Sequence, residues 1–176
     1  MRIKLLKDKH PFNQQIQIYT EGATVQNRFG GDSVKLNALE LSIYDGGNNQ
    51  DDSEVFDLPF TFTFYGEDYD QITICSNGWI ALGATDMTSF RNYNLPGTGG
   101  PSPMIAVFWD DLKMTGGGEI YVWSDSQNDA FIIEWSGLKT FQLGSVNTFQ
   151  AILYNSGHET LTGDDEIKLQ YKTFNN

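Results

Sequence analysis

The side chains best suited to chemistry in this sequence are carboxylates grouped in short acidic turns: Asp110-Asp111, then Asp125 and Asp129 flanking Asn128, then Asp164-Asp165. Hard cations bind by collecting several oxygen ligands, which such loops supply. Asp110, Asp111, Asp125 and Asp129 are therefore the candidate metal ligands, and calcium is the one cofactor the pattern suggests. No run matches an EF-hand or a repeated calcium motif, and the commoner reading of such turns is a solvated loop. Other catalytic chemistry lacks its residues. His10 and His158 are the only imidazoles, outside any metal-binding spacing, and neither His-Glu-x-x-His nor Gly-x-Ser-x-Gly occurs. A glycosidase needs two acids facing one bond at a set separation, and among 23 acids such a pair can be drawn anywhere, so it carries no argument. The chain reads as non-catalytic.

Aromatic side chains raise the possibility of sugar stacking. Trp79, Trp109, Trp123 and Trp135 each lie in a strand-like run, where core packing is the better reading. The stretch from Gly83 to Pro103, rich in Gly, Pro, Asn and Thr, reads as an excursion across one end of the fold. Within it, Arg91, Asn92 and Tyr93 are the candidates for an exposed glycan contact. The single Cys75 excludes an internal disulfide and falls in a strand pattern, as a buried structural thiol does.

The elements that must position these groups are strands. After Pro59, Phe60, Phe62 and Phe64 alternate onto one face that has to be buried. Gln71 to Ser76 and Trp79 to Leu82 flank Asn77-Gly78, the signature of a tight hairpin turn. Met104 to Trp109 is too short for a stable helix and reads as a core strand. Further runs cover 38–44, 119–123, 130–135, 149–154 and 166–171, while the polar stretch through Asp51, Asp52 and Glu54 reads as a solvated loop. The expected fold is all-β, a two-sheet β-sandwich or jelly roll, with residues 23–176 as one domain and residues 1–22 as an extended amino-terminal arm.

The order Leu58-Pro59-Phe60, Phe64-Tyr65-Gly66, Ser76-Asn77-Gly78-Trp79-Ile80, Phe108-Trp109-Asp110-Asp111 and Phe131-Ile132-Ile133-Glu134-Trp135 resembles a β-sandwich accessory domain of large secreted bacterial surface proteins. It is similar, more distantly, to the nidogen-type extracellular domain. The resemblance covers about residues 56–172 and implies an extracellular or cell-surface location and motif residues that serve packing.

Charge sharpens this expectation. Residues 1–9 carry Arg2, Lys4, Lys7 and Lys9 against Asp8, a net +3, while the rest of the chain holds 7 basic and 22 acidic groups, a net −15. Such a body repels phosphate backbones, which excludes nucleic acid, and no apolar run is long enough to insert in a membrane. No apolar stretch of signal-peptide length occurs in residues 1–9. The arm alternates basic with apolar residues and is interrupted by Pro11. It is expected either to add a strand to another copy through Arg2, Ile3, Lys4, Leu5, Ile16 and Ile18, building filaments of a structural protein, or, with residues 1–20, to form an edge strand of its own sandwich. The alternative is an adhesion module that binds glycan or calcium through its end loops.

Overall fold

The computed structural model describes residues 24–25, 34–35, 39–40, 43–95, 97–155 and 160–175. The arm residues Arg2, Ile3, Lys4, Leu5, Ile16 and Ile18 lie outside the described residues. The described chain is all-β, with twelve strands and no helix, and so none that could cross a membrane. They are β1 (Thr24–Val25), β2 (Val34–Lys35), β3 (Leu39–Glu40), β4 (Ser53–Phe64), β5 (Glu67–Cys75), β6 (Trp79–Leu82), β7 (Met104–Ala106), β8 (Leu112–Lys113), β9 (Glu119–Asp125), β10 (Ala130–Thr140), β11 (Val146–Tyr154) and β12 (Ile167–Thr173).

Two antiparallel sheets make a β-sandwich. One runs β4-β5-β6-β7 and the other β12-β11-β10-β9-β3, with β8 also on β10 and a separate β1-β2 pair. Consecutive strands are neighbours within β4–β7 and within β9–β12, whereas β3 joins the second sheet at β9 and β8 joins it at β10. The alternating Phe run behaves as its period requires, with Phe62 and Phe64 buried between the sheets and Phe60 packed against them. Facing them are Phe131, Ile133 and Trp135 of β10 and Phe149, Ala151 and Leu153 of β11. The Trp135 and Phe149 rings stack at 5.1 Å. Trp135 Nε1 crosses the sandwich to donate to Cys75 O at 2.9 Å, tying sheet to sheet.

Two turns differ from expectation. The two-residue hairpin turn is Tyr65-Gly66, with φ of 54° and 76°, joining the paired Phe64 and Glu67. Between Cys75 and Trp79 the loop is instead three residues, Ser76-Asn77-Gly78, and only Gly78 takes a positive φ, 75°. Its backbone passes so close to the β7–β8 connection that a Cβ on Gly78 would lie 2.0 Å from Phe108 O. The run Met104 to Trp109 leaves its ladder after Ala106, and Phe108 N then donates to Gly78 O at 2.9 Å.

Gly78→Ala is expected to cost about 3 kcal/mol or more, through backbone collision as well as strain, whereas Gly66→Ala, at a similar φ with open space around it, costs about 1 kcal/mol. Urea unfolding of the two variants measures the difference; equal losses would mean that close approach at Gly78 is unimportant.

Candidate functional site

One end of the sandwich buries Asp45, Ser76 and Asn77 in a single polar network. At its centre, the Asn77 carboxamide joins three segments. Nδ2 donates to Asp51 Oδ1 at 2.8 Å and to Thr88 O at 3.1 Å, while Oδ1 accepts from Leu112 N at 2.9 Å. Ser76 Oγ donates to Asp45 Oδ2 at 2.7 Å and accepts from Asp52 N at 3.2 Å. Asp45 Oδ1 takes Gly47 N in an Asx turn at 2.8 Å, and Asp45 O takes Met114 N at 2.7 Å. Asp52 accepts from Tyr44 N and Ser53 N, at 3.0 and 2.8 Å. Asp51 and Asp52, expected in a solvated loop, are thus half-buried clamps on the hairpin. Local polarity marked them as loop, but their partners lie about a strand-pair away in sequence.

The clustering has an electrostatic cost. Burial pushes the Asp45 carboxyl up from its ordinary value, opposed by the bonds from Ser76 and Gly47 and reinforced by Asp51 and Asp52. Burial also raises Asp111, with further contributions from Asp51, Asp45 and Asp110 against Lys113. Burial pushes the Cys75 thiol up to about 12, so it is protonated and inert at neutral pH.

A rim of exposed apolar side chains borders this acidic end. Backbone bonds from Thr140 N to Ser145 O and from Gly144 N to Thr140 O close the β10–β11 turn, placing Phe141, Leu143 and Val146 at its tip. Leu143 is 74 % exposed and Tyr44, on the adjoining loop, 64 %. Phe141 N donates to Asp111 O at 2.7 Å, and the Lys113 ammonium lies 4.8 Å from the Phe141 ring centre, binding the tip to the acidic floor. The rim escaped sequence reading because apolar residues beside strands are taken for core; the Gly144 turn was the available signal.

The four expected metal ligands are not brought together. Asp110 and Asp111 sit at the β8 end of β10, whereas Asp125 faces Ala130 at the opposite end, about 30 Å away along the strand. Asp125 spends its carboxylate on Gln127 N, Asn128 N and Asn128 Nδ2, shaping the β9–β10 turn, and Asp129 is exposed with φ of 46°. Asp164 accepts from Gly66 N, and Asp165 from Thr63 N, fastening their loop to β4. Among the described residues no three acids, histidines or cysteines converge as a cation requires.

Arg91, Asn92 and Tyr93 are exposed, as the loop pattern suggests. The Tyr93 ring is edge-on to Trp109 at 6.3 Å and leaves no room for a side chain at Gly99. Beneath this loop, Trp79 and Trp109 both donate their Nε1–H to Ser89 O, at 2.8 and 2.9 Å. They form a second small core with Cys75 and Ala81, on the face of the four-stranded sheet turned away from the main core.

A family model described as NIDO related matches residues 14–173. The match begins well before the span of about 56–172 that the motifs suggested. No curated protein and no solved structure shows a significant match.

Raised carboxyls bind their protons more tightly in the folded than in the unfolded chain. Stability from Asp45 and Asp111 is therefore greatest below their folded values and is lost as pH rises through them. Asp111→Asn, which removes a charge that burial and the neighbouring carboxylates disfavour, is expected to raise the melting temperature at neutral pH, and that gain over wild type to shrink as pH falls through the raised Asp111 value. A scanning-calorimetry series in which the two proteins differ by the same amount at every pH contradicts this. Asn77→Ala, which strands Leu112 N and the Asp51 carboxylate, is expected to cost about 3 kcal/mol in urea unfolding.

Proposed function

Because the chain belongs to the NIDO-related family, a family of structural extracellular domains, we propose that it is a non-catalytic structural module that associates with other copies of itself outside the cell. The observation that carries this reading is the pairing of an acidic, apolar-rimmed end with a basic, apolar arm on the same chain. The end offers Asp110 and Asp111 beside exposed Phe141, Leu143 and Val146. The arm offers Arg2, Lys4, Lys7 and Lys9 interleaved with Ile3, Leu5 and Leu6, all ahead of the family match at residue 14. Opposite charges steer the encounter, and burial of the apolar rim supplies the free energy.

This docking replaces simple strand addition for a physical reason. Edge strand β4 carries Pro59, and its Thr63 is already bonded by Asp165 through both N and O. Edge strand β12 carries Lys168 and Lys172. Both are ways of discouraging backbone pairing. An arm of one copy on the end of the next is a head-to-tail contact, which grows into filaments unless the rotation closes a ring.

Light scattering and electron microscopy of the purified chain test this. The wild type is expected to form higher assemblies that weaken about tenfold or more from low to high salt. Deletion of residues 1–9, or Leu143→Asp at the exposed tip, should leave a folded monomer. A wild type that stays monomeric at all concentrations, or variants that assemble equally well, would overturn the proposal.

A further inference from the structure

The hairpin that organises the acidic end is built on a chemically reactive dipeptide. Asn77-Gly78 is the one Asn-Gly pair in the sequence, and a glycine after asparagine leaves its amide nitrogen unshielded and its backbone free to turn toward the preceding side chain. The fold requires both residues. Gly78 takes a φ of 75° and passes so close to Phe108 O that no side chain fits there. Asn77 supplies donor and acceptor at once, giving protons to Asp51 and Thr88 O and accepting one from Leu112 N. A carboxylate only accepts, so aspartate cannot take this place.

In such a pair the glycine nitrogen, once its proton has gone to a solvent base, attacks the asparagine Cγ. The new C–N bond closes a succinimide ring, the Cγ–Nδ2 bond breaks, and Nδ2 takes up a proton and leaves as ammonia. Water then opens the ring at one of its two carbonyls. Opening at Cγ gives aspartate, and opening at the backbone carbonyl gives isoaspartate, whose main chain runs through Cβ and Cγ. In the folded chain every participant is held off this path. Both ends of the Asn77–Gly78 peptide group are bonded, Gly78 N donating to Cys75 O at 3.2 Å and Asn77 O accepting from Asp110 N at 3.3 Å. The carboxamide is fixed by its three bonds, and Asn77 is 0 % exposed, which keeps solvent base from the site.

We infer that Asn77 is a site of spontaneous deamidation that folding holds closed and unfolding opens, and that reaction there makes unfolding irreversible. The products cannot rebuild the hairpin. An aspartate in place of Asn77 has no proton for Thr88 O and sets a second carboxylate against Asp51, beside Asp45 and Asp52. Isoaspartate lengthens the main chain between Cys75 and Trp79, which displaces Gly78 from Phe108, whose N–H it accepts at 2.9 Å. Either change releases the start of β8 at Leu112, the long loop at Thr88 and the segment entering β4 together. The residues that make this end of the sandwich possible therefore also withdraw from the native pool any chain that stays open too long.

Incubation of the full chain at mildly alkaline pH, native and in urea above the unfolding transition, tests this, with conversion at each asparagine read by peptide mapping and isoaspartate detection. Conversion at Asn77 is expected to be at least about tenfold faster in urea than in the native protein. The exposed Asn92 and Asn94, followed by Tyr93 and Leu95, serve as controls and should differ far less between the two conditions. After dilution from urea, the fraction that fails to regain native tryptophan fluorescence should match the fraction converted at Asn77. Asn77→Asp should lower the urea midpoint at neutral pH. Equal conversion at Asn77 in the two conditions overturns the inference, as does an acceleration shared in full by Asn92 and Asn94, because the fold would then not be its cause. So do converted chains that refold as completely as unconverted ones, or an unchanged midpoint for Asn77→Asp.

Discussion

Close approach between the Ser76-Asn77-Gly78 hairpin and the chain leaving β7 is the constraint on which the rest of the structure depends. Gly78 admits Phe108 O because it has no Cβ, and the Asn77 carboxamide then reaches Leu112 N, Asp51 and Thr88 together. This carboxamide sets where β8 begins, holds the long loop at Thr88, and anchors the acidic segment leading into β4. Ser76 adds Asp45, and through Met114 N and Phe141 N the order extends to the β10–β11 tip. A single hairpin thus determines how one whole end of the sandwich is built.

The arrangement has a consequence for function. Five aspartates held at one end repel one another, and burial of Asp45 and Asp111 adds to the cost, so the end is electrostatically strained at neutral pH. The hydrogen bonds that hold Asp45, Asp51 and Asp52 consume the acceptors a cation would need. What remains is a rigid negative surface with an apolar border, suited to a positively charged, amphipathic segment. The enclosure of Trp79 and Trp109 by bonds to Ser89 O, by contrast, stabilises the domain itself.

Period-two alternation made much of this fold legible: Phe60, Phe62 and Phe64 point where their spacing requires, and β6 spans the expected Trp79–Leu82. Length was harder to read where a strand is interrupted. β10 runs past Trp135 to Thr140 because a bulge around Gly137 lets it exchange partner β9 for β8, a change whose one local sign is the glycine itself. The site was less legible still. Asp125 has the composition of a metal ligand but serves an Asx turn, a role its spacing to Gln127 and Asn128 would equally support. Asp51 and Asp52 look like solvated loop because the partners that bury them are distant in sequence. Trp79 and Trp109 were read as core, and they are, but in a satellite core beneath a loop rather than between the sheets.

Native-state hydrogen exchange at four amides examines the central constraint most directly: Leu112 N on the Asn77 carboxamide, Phe108 N on Gly78 O, Met114 N on Asp45 O and Phe141 N on Asp111 O. If the hairpin organises this end as one unit, all four exchange only through global unfolding, with the same free energy and denaturant dependence as the β10–β11 core. Exchange of these amides through a local opening, at a free energy well below that of the core and with little dependence on denaturant, would contradict the account.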